Sequence, residues 1–82
     1  MKKLDNKVAI ITGGAGGIGK ATALEFLNEG SDVLLFDLNE SDLKKLCQEI
    51  GSNHLSYYAG DVTSFEDNLK AVEIAKEKFG GL

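Results

Sequence analysis

The chain has 82 residues, 43% hydrophobic and 27% charged, with no proline or tryptophan, a composition of an ordered globular protein and not of a disordered one. At this length only about 60% of the unfolded surface is hidden on folding, so the sequence reads as a marginal domain or a piece of a larger one. A net charge of −4, with no Lys/Arg run longer than two, excludes the clustered basic surface that holds nucleic acid or anionic membrane and leaves a small molecule as the expected partner.

The opening "MKKLDNKVAIITGG" carries lysines, but its apolar run Val8 to Ile11 is too short for a signal peptide and leads into glycines. No stretch approaches the ~20 apolar residues of a membrane helix. The single cysteine, Cys47, cannot form an internal disulfide, which suits a reducing, cytoplasmic location.

Lys7 to Thr12, "KVAIIT", is a β-branched run ended by glycine, as expected of a strand buried on both faces. Ile18 to Glu29 follows as a helix with a broad stripe of Ile18, Ala21, Leu24 and Leu27, widened by Ala23 and Phe26, and Gly30 stands where a left-handed cap is wanted. Asp32 to Asp37, "DVLLFD", is a second buried strand. Asn39 then caps a helix with Asp42 three residues on, and Leu38 is placed to staple against Leu43. Leu43, Leu46, Cys47 and Ile50 form its apolar face, and Gly51 closes it. Leu55 to Ala59 is a weaker third strand leading into "GDV" at Gly60 to Val62. Ser64 caps a third helix, with Phe65, Leu69, Val72, Ala75 and Phe79 as its expected apolar face. The order βαβαβα, without repeat or linker, predicts an α/β fold with a parallel sheet and right-handed crossovers. The chain stops where a fourth strand is expected.

Five glycines fall between Gly13 and Gly19, more than a tight strand-to-helix turn requires. "GAGGIGK", Gly14 to Lys20, has the glycine and lysine spacing of an NTPase P-loop, but the next position, which should hold magnesium through Ser or Thr, is Ala21. Thr22 lies about 100° further round the helix. The same loop read as Gly14, Gly16 and Gly19 has the generic dinucleotide spacing, placed between a strand and a helix whose N-terminal amides would face a pyrophosphate. Asp37 ends the next strand 18 residues after Gly19, where a carboxylate accepts from ribose hydroxyls. A dinucleotide is the better reading.

"TGGAGGIG", Thr12 to Gly19, resembles the TGxxxGxG fingerprint of the short-chain dehydrogenase/reductases, with Thr12, Gly13, Gly17 and Gly19 at the fingerprint positions. The resemblance covers essentially the whole chain through "KVAIITGG", the acidic end of strand two, "GDV" and "FGGL". It implies the N-terminal βαβαβα half of a Rossmann-type doubly wound parallel sheet, strand order 3-2-1, truncated before strand four, with residues 1–82 the front of one dinucleotide-binding domain. It implies that Gly13, Gly17 and Gly19 shape the turn, with Ile18 on the pyrophosphate and nicotinamide side. Asp37 would bind the adenosine ribose, and Asp61 and Val62 would flank the adenine. The cofactor implied is NAD, the reaction hydride transfer with a secondary alcohol or ketone, and the complete enzyme a homo-oligomer. Family members use Ser, Tyr and Lys, the last two in a Tyr-x-x-x-Lys helix. Here the only tyrosines, Tyr57 and Tyr58, are followed four residues on by Asp61 and Val62. No catalytic residue is therefore assigned, and a stand-alone non-catalytic nucleotide-binding module is the alternative. Asp61 before Val-Thr equally suits a simple turn. Lys20 reads either as a phosphate partner or as a solvated side chain, Cys47 as a small buried hydrophobe, and His54 as a loop residue without a metal partner.

Overall fold

A computed structural model describes residues 7–13 and 16–79. The expectations that involve Gly14 and the last three residues of "FGGL" fall outside these residues. In chain order the elements are β1 (Val8–Thr12), α1 (Gly17–Asn28), β2 (Asp32–Asp37), α2 (Glu40–Ile50), β3 (Leu55–Ala59) and α3 (Phe65–Phe79). The strands form one parallel sheet in the order β1-β2-β3, the expected 3-2-1 read from the opposite edge. Register pairs Val8 with Asp32 through Thr12 with Phe36, and Val33 with Leu55 through Asp37 with Ala59.

The continuous apolar run of β2 is explained by its central place. Val33, Leu34, Leu35 and Phe36 are all fully buried, and the strand's period of two sends them to opposite faces. Val33 and Leu35 pack with Ala23, Leu43, Leu46 and Leu55 under α1 and α2, whereas Leu34 and Phe36 pack with Ala71 and Ala75 under α3. Helices thus cover both faces, as a doubly wound sheet requires. β1, with a neighbour on one side only, is half-buried from Val8 to Ile11 and exposed at Thr12, not buried on both faces as its composition suggests.

The caps follow the sequence closely. α1 ends in a Schellman motif: Gly30, at φ 94°, donates to the Leu27 carbonyl (3.0 Å) and Ser31 N–H to the Phe26 carbonyl (3.0 Å). Asn39 Oδ1 accepts from Asp42 N–H at 3.1 Å, and Gly51 closes α2 in the left-handed region at φ 69°. Ser64 Oγ accepts from Asp67 N–H at 3.2 Å to begin α3.

Three packing expectations need correction. Leu38 is 70% exposed, so it is no buried staple on Leu43. In α1 the side facing the sheet is Gly19 and Ala23 with Phe26 and Leu27 packed beside them, while Ile18 and Leu24 are exposed. Small residues at 19 and 23 bring the helix close to the sheet, and Ile18, one residue and so about 100° round, turns outward. In α3 the expected Ala75 and Phe79 do approach Leu34 and Phe36, but they are joined by Ala71 and Ile74. Phe65, Leu69 and Val72 are left at 77%, 51% and 36% exposure. Among the described residues no helix is long and apolar enough to cross a membrane.

Candidate functional site

Because the strands are parallel, all three deliver their following loops to one edge of the sheet. There β1 ends in Thr12 and Gly13. Gly13 N–H extends the ladder by donating to the Phe36 carbonyl at 2.9 Å, and its φ of 68° then turns the chain away in a conformation that favours glycine. The chain re-enters at Gly16, the extended N-cap of α1, whose N–H donates to the Gly13 carbonyl at 3.3 Å. Lys20 N–H makes the first helical bond, to the Gly16 carbonyl at 3.0 Å. The amides of Gly17, Ile18 and Gly19 precede that bond and have no acceptor within the helix. Gly16 has no side chain to cap them, and the first turn carries no acidic residue. A Cβ built at Gly17 would meet nothing within 4 Å, so the chain's own packing does not demand glycine there. An anion approaching the uncapped amides would.

The neighbouring strand ends add carboxylates. Asp37, half-buried at the end of β2, accepts from Leu38 N–H through Oδ1 at 2.7 Å, and its carbonyl accepts from Gly60 N–H at 2.9 Å. Beyond β3, Asp61 Oδ1 accepts from Thr63 Oγ1–H (2.7 Å) and Thr63 N–H (2.9 Å). These two bonds, the hydroxyl's first, hold the Asp61 carboxyl below the usual carboxylate range. The turn reading and the adenine-flanking reading of Asp61 are therefore compatible. Val62 beside it is 41% exposed. Thr12, Gly13, Gly17, Ile18, Gly19, Asp37, Asp61 and Val62 thus all lie at or just past the C-terminal edge of the sheet.

Other candidates are resolved by their partners. Lys20 Nζ pairs with Glu49 Oε1 at 2.5 Å, joining α1 to α2 beside a cleft of about 330 Å³ that also takes in Gly16, Gly17 and Lys45. Thr22 Oγ1 donates to the Ile18 carbonyl at 2.8 Å, so it is committed to its own helix and does not replace the hydroxyl that Ala21 lacks. Cys47 is half-buried in the α2 face, and burial pushes its thiol pKa up, as expected of an inert thiol. His54 pairs with Asp32 at 2.6 Å, at the opposite end of the sheet. Among the described residues no group of three His, Cys, Asp or Glu is placed to hold a metal.

Comparison with known proteins decides the family. The family model for short chain dehydrogenases matches residues 7–82. The chain belongs to the short-chain dehydrogenase family. Among family members, "Short chain aldehyde dehydrogenase 1" of Euphorbia lathyris is 42% identical over 82 residues, covering 99% of this chain and 28% of its own. A solved short-chain dehydrogenase/reductase from Brucella melitensis, a glucose/ribitol dehydrogenase, superposes with a TM-score of 0.89 at 34% identity, over 100% of this chain and 36% of that one. The 3-ketoacyl-(acyl-carrier-protein) reductase of Brucella melitensis, solved with NADH, gives 0.86 at 33% identity, over 95% and 32%. The chain thus spans about a third of the length of the short-chain dehydrogenases it matches.

Sequence reasoning missed the support beneath the site. Asp67, in the first turn of α3, reaches back to the Asp61 amide at 2.8 Å, and Tyr58 O–H donates to it at 3.3 Å. Such bonds span six and nine residues, so no local capping pattern reveals them. Gly60 is equally constrained: a Cβ there would stand 2.9 Å from the Tyr58 ring and 3.1 Å from the Phe36 ring. Gly60→Ala should therefore destabilise the fold by about 1–3 kcal/mol through overpacking, read as a lowered urea midpoint at unchanged m-value. An unaltered midpoint would show that the rings yield freely.

Proposed function

We propose that the chain is the NAD-binding N-terminal portion of a short-chain oxidoreductase acting on a secondary alcohol or ketone. The observation that carries this reading is the uncapped first turn of α1, with amides of Gly17, Ile18 and Gly19 beside an open glycine position and at the same edge of the sheet as Asp37 and Asp61. This arrangement fits a dinucleotide. Gly13 and Gly17 clear the space, the three amides hold the pyrophosphate at the positive end of the helix, Asp37 accepts from the adenosine ribose, and Asp61 with Val62 flanks the adenine. When bound, the cofactor supplies hydride exchange with the substrate carbon.

The sequence holds no Tyr-x-x-x-Lys pair to supply the acid/base that such a reaction needs at the substrate oxygen. Tyr58 O–H bonds to Asp67 instead. Burial first, and then the Asp67 charge, raise its pKa, so the phenol stays protonated. The 82-residue chain by itself is accordingly inactive. The Ser, Tyr and Lys of the family are expected in further sequence. The same reading places the completed enzyme in the cytoplasm as a homo-oligomer, in keeping with the lone, half-buried Cys47.

Nucleotide titration of the purified chain tests the proposal. NADH should bind without magnesium, and ATP should gain nothing from magnesium. Magnesium-dependent ATP binding would overturn the cofactor assignment. NADH formation from NAD and an alcohol, above a Gly17→Asp control, would overturn the inactivity. NAD binding in a native protein that ends at Leu82 would favour the non-catalytic module instead.

A further inference from the structure

α3 begins with a Ser-x-x-Asp pattern, Ser64 to Asp67. In a capping box the acid would return to the backbone N–H of the capping residue. It does not do so here. Ser64 N–H donates to the Asp61 carbonyl at 2.9 Å, and the Asp67 carboxylate passes beyond it to the loop that leaves β3. Its Oδ2 accepts from Asp61 N–H at 2.8 Å, and its Oδ1 from Tyr58 O–H at 3.3 Å. Tyr58 in turn packs on Phe36, ring centroids 5.5 Å apart, and Phe36 is fully buried. The carboxylate approaches this closely because position 60 is glycine: a Cβ there would lie 3.2 Å from Asp67 Oδ2.

We infer that Asp67 is a positioning residue for adenine recognition, clamping the backbone of Asp61 to the sheet core through Tyr58 and Phe36. The inference rests on the cofactor reading above, in which Asp61 meets the base. Both Thr63 bonds fall on Asp61 Oδ1, which leaves Oδ2 to accept from the adenine amino group. Thr63 orients the Asp61 side chain, and Asp67 fixes the backbone that carries it. A hydrogen bond to a carboxylate is selective only when the acceptor is held in place. Asp67 touches no cofactor atom in this scheme and acts through Asp61.

The test compares NAD with nicotinamide hypoxanthine dinucleotide, which replaces the adenine amino group by a carbonyl, on the protein as its native locus encodes it. The unsubstituted protein should prefer NAD by about tenfold or more in Kd, the scale of one charge-assisted hydrogen bond. Asp67→Ala should bring the ratio of the two Kd values to within about twofold of one, whereas Asp67→Asn, which keeps the acceptor for the Asp61 amide, should retain the tenfold preference. A residue serving only the helix dipole would lose its contribution in both variants and leave the ratio alone, since both dinucleotides carry the same pyrophosphate. A ratio undiminished in Asp67→Ala overturns the positioning role while the cofactor reading stands. A ratio of one in the unsubstituted protein, with NAD still bound, overturns the adenine role of Asp61 and the clamp with it. Should Asp67→Ala not fold, Asp67→Ser, one atom too short to reach the amide, carries the same expectation, and a preserved preference there refutes the clamp.

Discussion

Gly17→Asp should abolish dinucleotide binding while leaving the fold as stable as before, or slightly more so. The two halves of this expectation have separate physical causes. A Cβ at position 17 meets nothing within 4 Å, so the substitution forces no repacking. Position 17 is also the first residue of α1, whose first turn lacks any acidic side chain, and a carboxylate there complements the helix dipole by about 0.3–1 kcal/mol. The same carboxylate stands where the pyrophosphate is proposed to sit. Two like charges about 4 Å apart at an effective dielectric near 20 repel by about 4 kcal/mol, or about a thousandfold in Kd. Calorimetric titration with NADH and a thermal melt on the same sample check both halves together. Lost binding with a collapsed melt would mean that Gly17 serves the fold, and retained binding would remove the pyrophosphate from α1.

How far the sequence discloses this molecule depends on the range of the interaction concerned. Caps and turns are local: Asn39 with Asp42, Gly30 after α1 and Ser64 before α3 all form as their spacing implies. The fully buried VLLF core of β2 is legible because a central strand covered on both faces has no polar side. Helix faces are less legible, since periodicity ranks residues by hydrophobicity while close packing on a sheet favours small ones. Ala71 therefore joins the expected Ala75 in the contact that Phe65 and Leu69 would claim by hydropathy. At the site, the glycine spacing announces the turn, and the parallel order then brings Asp37 and Asp61 to the same edge as the turn. The bond from Asp67 to Asp61 depends on how α3 is placed against β3, which follows from the packed fold and from no short pattern.

Asp37→Ala should weaken NAD and relax the choice between NAD and NADP, and Asp37→Ala with Leu38→Arg should reverse it. In the proposed site the Asp37 carboxylate accepts from the adenosine ribose hydroxyls, bonds worth about 1.5–3 kcal/mol with a charged acceptor, so their loss raises the Kd for NAD by about tenfold or more. The same carboxylate opposes NADP. A 2′-phosphate about 4 Å away would be repelled by about 4 kcal/mol per unit charge at an effective dielectric near 20. No Lys or Arg stands between Gly13 and Gly19 or at Leu38 to offset this. Lys20, the next cation along the chain, is already paired with Glu49. The Asp37 backbone is fixed independently of its charge by the ladder bond from Gly60 N–H to its carbonyl at 2.9 Å, so alanine leaves the strand end in place. Leu38 is 70% exposed, so arginine there costs no packing and offers the bidentate fork that phosphate prefers. Kd values for NADH and NADPH on the native, the single and the double variant check the series. The native protein should favour NADH by about a hundredfold or more, the double variant NADPH. Equal affinity for the two cofactors in the unsubstituted protein would remove Asp37 from the ribose.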